Sequence, residues 1–229
     1  MTPTMVLVAH GTRDGAGVVV AQRIADAVRR ELPGVPVRLA FADVRAPSLA
    51  SVLGTLGGPV VVVPAFLASG YHVRVDVPHQ VARFARTERI RLTPALGPDP
   101  MVVDAVLQRL RAAGHRPGDA VVLGAAGSTD PRARADVRRA ACLLSTRLGC
   151  QVDIGFVTGT PAAHSVVSQR LRAGRRVALG CWLLAPGAFH AKLARCGAHA
   201  VAEPIGAQRQ LVELIARRYR QALGGPVSG

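Results

Sequence analysis

Lysine is all but missing from this chain: Lys192 is the only one among 29 Lys+Arg. Acidic residues are scarce as well, 14 in all, so the formal net charge is +15. Arginine therefore carries the positive charge, either as the mark of a GC-rich genome or because its fork suits carboxylate and phosphate. Aromatics are only 3% of residues, and no basic run is interleaved with Phe or Tyr. That lack argues against a single-stranded nucleic-acid surface, where stacking platforms stand beside the cations. Long hydrophobic runs are also missing: the longest, Pro59 to Ser69, is about half the ~20 residues that a spanning helix needs. No membrane association is expected. Met1 to His10 lacks the basic start and small-residue cleavage site of a secretory signal, so a cytoplasmic protein is expected. The four cysteines, Cys142, Cys150, Cys181 and Cys196, form no CxxC or other metal-type spacing and read as small buried thiols.

What is present is an apolar fraction of 49% with 24 Gly and 16 Pro in 229 residues, a globular composition for one large or two small domains. One unit is written twice. Met5-Val-Leu-Val-Ala-His-Gly-Thr-Arg-Asp14 is echoed by Val121-Val-Leu-Gly-Ala-Ala-Gly-Ser-Thr-Asp130, with Gly and Asp in register. Phe66-Leu-Ala-Ser-Gly70 is echoed by Leu183-Leu-Ala-Pro-Gly187, and the segment from Leu96 to Arg109 by that from Ile205 to Arg218. The turn-rich stretch from Ala113 to Asp119 lies between the copies and divides the chain into halves 1–116 and 117–229.

Within each copy short Val/Leu/Ile-rich runs alternate with segments of helical period, the pattern of a parallel α/β sheet. The reading is two tandem repeats, each a four-stranded parallel sheet flanked by helices. Strands are predicted near 4–9, 35–41, 59–66 and 90–95, then 120–125, 151–156, 176–183 and 199–203. Helices are predicted near 15–32, 47–57, 78–88 and 99–113, and another from Asp130-Pro131, an N-cap acceptor followed by a proline suited to N1. With strands ordered 2-1-3-4, the tips of the first three are neighbours and share one crevice at the carboxyl ends, where ligands of open α/β sheets bind.

Those tips carry His10-Gly-Thr-Arg13-Asp14, Asp43-Val-Arg45-Ala46-Pro47, and Ser69-Gly70-Tyr71-His72-Val-Arg74-Val-Asp76. Two neutral imidazoles can hold a divalent transition metal, and either can take a proton near pH 7. Asp14 and Asp76 read as helix-start residues, and Gly11 and Gly70 as turn residues permitting close backbone approach. Arg13, Arg45 and Arg74 either bind carboxylates or are solvated surface. In the second copy Ala126 replaces His10 and Phe189 replaces His72. His190 falls one place late, about 100° around a helix, and is expected to contribute nothing. Chemistry is thus expected in the first half, with Ser128, Thr129 and Ala185 to Gly187 of the second half facing the substrate.

At these residues the sequence resembles the sirohydrochlorin chelatases, which insert cobalt or ferrous iron into a tetrapyrrole. The similar pieces are Val6 to Asp14, Phe41 to Pro47, Val62 to Pro78, and Ala95 to Gly97. The resemblance spans nearly the whole chain, as in the long form of that family with two fused half-domains and a degenerate second half. It implies a chelatase-like fold, His10 as proton acceptor and metal contact, and His72 as second metal ligand. It also implies substrate contacts at Arg13, Asp43, Arg45, Ala46 and along Leu67, Ala68, Ser69, Gly70 and Tyr71. Asp43 stands where the family usually has Glu, Ala46 where an acidic residue is frequent, and Asp99 where His tends to follow the Leu-Gly pair. The implied partners are anionic sirohydrochlorin and Co2+ or Fe2+ as substrate metal, with no permanently bound cofactor, in a monomer serving siroheme or cobalamin formation. The alternative is a non-catalytic cytoplasmic carrier of tetrapyrrole or metal.

Overall fold

The computed structural model describes residues 2–12, 14–84 and 89–224, except for the side chain of His72. Strand β1 (Thr4–Ala9) buries Met5 to Val8 completely, as a parallel strand covered on both faces must. Helix α1 (Gly15–Glu31) follows, capped by Asp14, whose carboxylate accepts from the Ala16 amide at 2.9 Å. Ala21, Ile24, Ala25 and Val28 form its buried stripe, while Arg29 and Arg30 occupy the last turn, where cations suit the helix dipole.

The first half continues with β2 (Val37–Phe41), α2 (Leu49–Gly54), β3 (Val60–Pro64), a π-helical turn (His72–Asp76), α3 (Val77–Ala82), β4 (Ile90–Leu92) and α4 (Pro100–Ala112). The second repeats the order with β5 (Ala120–Ala125), α5 (Pro131–Leu148), β6 (Val152–Phe156), α6 (Ala163–Arg172), β7 (Val177–Trp182), α7 (Ala188–Ala194), β8 (Ala200–Val201) and α8 (Arg209–Gly224). Both sheets are parallel, ordered β2-β1-β3-β4 and β6-β5-β7-β8. Two tandem four-stranded sheets in the 2-1-3-4 order are thus the fold read from the repeat. The predicted helix over 78–88 runs partly outside the described residues, at 85–88. Its start also differs. Asp76 has helical φ and ψ of −67° and −48° and makes no capping bond, because the π turn already leads the chain into α3.

Each half closes over the other half's sheet. Helix α4 packs against α5, α8 and β7, and α8 against α1, α4 and β3. A Cβ on Gly180 of β7 would lie 3.2 Å from both Val106 and Leu110 of α4, so glycine lets that helix sit close on the strand. Tyr219 of α8, 1% exposed, donates its hydroxyl to the Pro3 carbonyl at 2.6 Å. Buried Asp99 caps α4 through the Met101 amide (3.0 Å) and pairs with Arg217 (2.8 Å) and Arg218 (3.3 Å) of α8. A carboxylate so used explains an aspartate after the Leu96-Gly97 pair. One hydrophobic cluster consequently runs from Met5 and Leu7 of the first sheet through α4 and α8 to Ala178 and Trp182 of the second.

The expectation of four buried thiols is corrected. Cys181 is buried, but Cys196 is half-buried and Cys142 and Cys150 are exposed. Cys142 follows Ala141 on α5, about 100° off the buried face, and Cys150 lies just past the left-handed Gly149 that ends the helix.

Candidate active site

At the tip of β1 the chain must turn sharply into α1. Gly11 does so at φ +96°, and a Cβ there would overlap the Asp43 carbonyl oxygen. The loops after β1 and β2 are joined by the Ala42 amide on the Ala9 carbonyl (2.9 Å) and the Asp43 amide on the His10 carbonyl (3.1 Å). Thr12 Oγ1 accepts from the Asp14 amide at 3.0 Å and completes the turn. Asp43, Arg45 and Ala46 lie exposed on the β2 loop, with the Arg45 amide bonded to the Asp43 carbonyl at 2.7 Å. Between them Val44 is held at φ +48° and is 55% exposed. A β-branched residue in that region costs about 1–3 kcal/mol and tends to mark a functional site. Arg13 lies outside the described residues.

His10 stands exposed at this tip, its ring 5.8 Å from that of Phe66 and tilted 56° to it. It lines a cavity of about 370 Å3 whose floor comes from β1, α1 and β2 and whose far wall is the Leu183–His190 segment of the second half. Among the described lining residues only His10, Thr12 and His190 bear polar side chains; the rest are apolar or glycine. An apolar slot with a few polar groups suits the apolar body of an organic ligand whose charged groups stay at the rim. Two sequence expectations bear on this wall. Ala185, Pro186 and Gly187 line it as expected, whereas His190, expected to contribute nothing, lines the same cavity as His10. The reason is the crossed architecture: the loop after β7 closes over the other half's tip, so its residues serve that half. The His190 Nε2 is covered and has no hydrogen-bond partner among the described residues.

The loop after β3 crosses in the opposite direction. Leu67 and Ala68 line a second, smaller cavity of about 140 Å3 at the tip of β5, together with Ala126, Gly127, Ser128 and Trp182. Trp182 Nε1 donates to the Leu67 carbonyl at 3.3 Å, and the Ser69 amide to Asp136 Oδ2 at 2.7 Å. Gly70 packs toward Ala133. Arg74 bonds the Ser69 carbonyl (3.1 Å) and Asp130 Oδ2 (2.8 Å), so it is a tether between halves. The Arg74 guanidinium, with the Arg132 amide, holds the Asp130 carboxyl below the usual carboxylate range. Tyr71 is 60% exposed, and His72 opens the π turn, a feature frequent at functional sites; its side chain lies outside the described residues.

In the repeat Pro186 replaces Ser69 and Val20 replaces Asp136. Proline has no N–H and valine no acceptor, so the loop over His10 lacks that tether and the larger cavity lies under it. Among the described residues no three His, Cys, Asp or Glu side chains converge to cage a metal. Phe189 and His190, read from the sequence only as the second half's counterparts of the His72 position, line the His10 cavity because their loop crosses between halves.

The chain matches the CbiX family model twice, over residues 4–113 and 120–222. The sirohydrochlorin cobaltochelatase of Methanothermobacter thermautotrophicus is 28% identical over 131 residues, 48% of this chain and 91% of that protein. SirB from Bacillus subtilis, solved with Fe3+, superposes with a TM-score of 0.83 at 23% identity, covering 98% of this chain and 96% of that one. The CbiX described as the terminal enzyme of siroheme biosynthesis in denitrifying bacteria superposes with a TM-score of 0.71 at 22% identity, over 96% and 100% of the two chains. With both halves matched by one model and the crossed two-sheet fold shared by the solved structures, the chain belongs to the CbiX family.

Proposed function

We propose that this protein inserts Co2+ or Fe2+ into sirohydrochlorin, and that the first half, 1–116, carries the chemistry while 117–229 closes the cavity. The observation that carries the reading is His10 at the mouth of an apolar cavity walled by both halves. Metalation requires two pyrrole N–H bonds to break as the divalent ion enters the ring. Each nitrogen keeps its electron pair for the metal, and two protons leave. His10, with His72 as its partner ligand, contacts the ion; as general base it takes up the two protons in sequence and passes each on to water before accepting the next. Metal and tetrapyrrole are substrates, and no permanently bound cofactor is required. Arg13, Asp43, Arg45, Ala46 and the exposed Tyr71 beside His72 contact the substrate, Arg13 and Arg45 pairing with its carboxylates, while the Leu67–Gly70 part of the β3 loop, tied to the second half, anchors that loop. A net charge of +15 draws a polycarboxylate over distance, which gives the arginine excess a use without nucleic acid. The protein acts as a cytoplasmic monomer, since one chain supplies both walls.

The test is to mix protein, excess sirohydrochlorin and Co2+ or Fe2+ without oxygen and follow the tetrapyrrole spectrum. Conversion of many equivalents per protein supports the enzyme. Spectral change that stops at one equivalent refutes it in favour of a carrier.

A further inference from the structure

Phe189 is the exposed phenylalanine of the described residues. Phe41 and Phe156 are buried at 3% and 5%, whereas Phe189 is 44% exposed although it stands on the apolar side of its helix. Helix α7 is seated on the second sheet by Leu193, which is fully buried and lies so close to β7 and β5 that a Cβ on Gly124 would come 2.8 Å from it. Positions 189 and 193 are one turn apart and share a face. The face that packs Leu193 on the sheet therefore continues past the strand ends and carries Phe189 over the cavity that His10 lines. The start of α7 is also held firmly. The Ala191 amide bonds the Gly187 carbonyl at 2.9 Å, and Gly187 at φ +147° sits where a Cβ would be 3.3 Å from Asp14 Oδ2, the cap of α1. An aromatic ring on a fixed helix, facing an apolar slot, is unexplained by core packing.

We propose that Phe189 is a substrate-positioning residue of the second half, whose ring lies against the flat conjugated face of the bound tetrapyrrole. The proposal rests on the functional reading above and adds to it a specific contact from the half that lacks the His10 equivalent. Offset stacking of two conjugated surfaces needs no matching of hydrogen bonds, so it fixes the plane of the macrocycle and leaves the centre of the ring to His10. Phe189 thus serves affinity and orientation and takes no part in proton transfer.

Direct titration of the full chain with metal-free sirohydrochlorin, followed by absorption, tests this. F189A is expected to raise Kd and KM about tenfold, with kcat within about twofold of the parent, since the loss falls on ground-state and transition-state binding alike. F189Y and F189W are expected to bind like the parent, and F189L to lose most of the affinity. Melting temperature and Co2+ binding without tetrapyrrole should be those of the parent in all four, because the ring is solvent-exposed. Equal Kd for F189A and parent overturns the proposal, as does parental affinity in F189L or a loss confined to kcat. A parent that binds no sirohydrochlorin removes the functional reading and this inference together; a parent that binds while F189A matches it removes the inference alone.

Discussion

Gly11→Ala perturbs the turn that presents His10, and its pseudo-equivalent Gly127→Ala supplies an internal control. Both glycines have positive φ, +96° and +100°, and in both a Cβ would overlap a carbonyl oxygen of the neighbouring loop, that of Asp43 or Thr158. Holding alanine in such a conformation costs about 1–3 kcal/mol. Relieving the overlap by moving a packed loop costs a further ~1–3 kcal/mol. A middle value of about 4 kcal/mol lowers Tm by about 8–16 °C in a chain of this size. Thermal melts of the two variants should therefore fall together. Turnover per folded molecule should separate them: Gly11→Ala displaces His10 and loses metalation, whereas Gly127→Ala acts at the cavity lined by Ala126 and keeps it. A parental melt for Gly11→Ala would refute the strain argument. Equal loss of turnover in folded samples of both would refute the assignment of chemistry to the first half.

Two further outcomes follow from the ionisable groups. Burial pushes the Cys181 thiol up to about 12, so a thiolate-directed alkylating reagent at neutral pH should label exposed Cys142 and Cys150 in the native protein and leave Cys181 intact. Mass mapping of labelled peptides checks this, and early labelling of Cys181 would contradict it. The Asp130 carboxyl, held low by Arg74, contributes stability that is present above its ordinary value near 3.9 and lost as pH falls through its lower folded value. Asp130→Asn keeps an N-cap acceptor but removes the pair, so its stability should depend less on pH below about 4 than the parent's. Superimposable pH–stability curves would contradict the tether.

Much of the fold was legible because strands buried on both faces read as unbroken apolar runs, as in Met5 to Val8 and Val60 to Val63. The aspartates that cap α1 and α5 and the proline at the start of α5 marked helix starts with equal clarity. His10 was legible as a strand-tip residue for the same reason. The crossing of α4 and α8 onto the opposite sheets was not, because an amphipathic stripe records that a face is buried and not by which half. The place of His190 was hidden for the same reason: its one-residue offset from the His72 register is a relation within one half, whereas the Leu183–His190 segment lines the cavity of the other. The π turn at His72–Asp76 was equally hidden, since a proline after an aspartate reads as an ordinary helix start.

The most direct measurement of the central claim compares parent and His10→Ala for turnover of sirohydrochlorin with Co2+, alongside a thermal melt. His10 is exposed at a strand tip and contributes little to the core. His10→Ala is expected to keep the parent's melt within about 2 °C and to lose metalation by at least ~10²-fold, the lower bound for removing a general base. A folded His10→Ala protein that turns over at the parental rate would contradict the central claim.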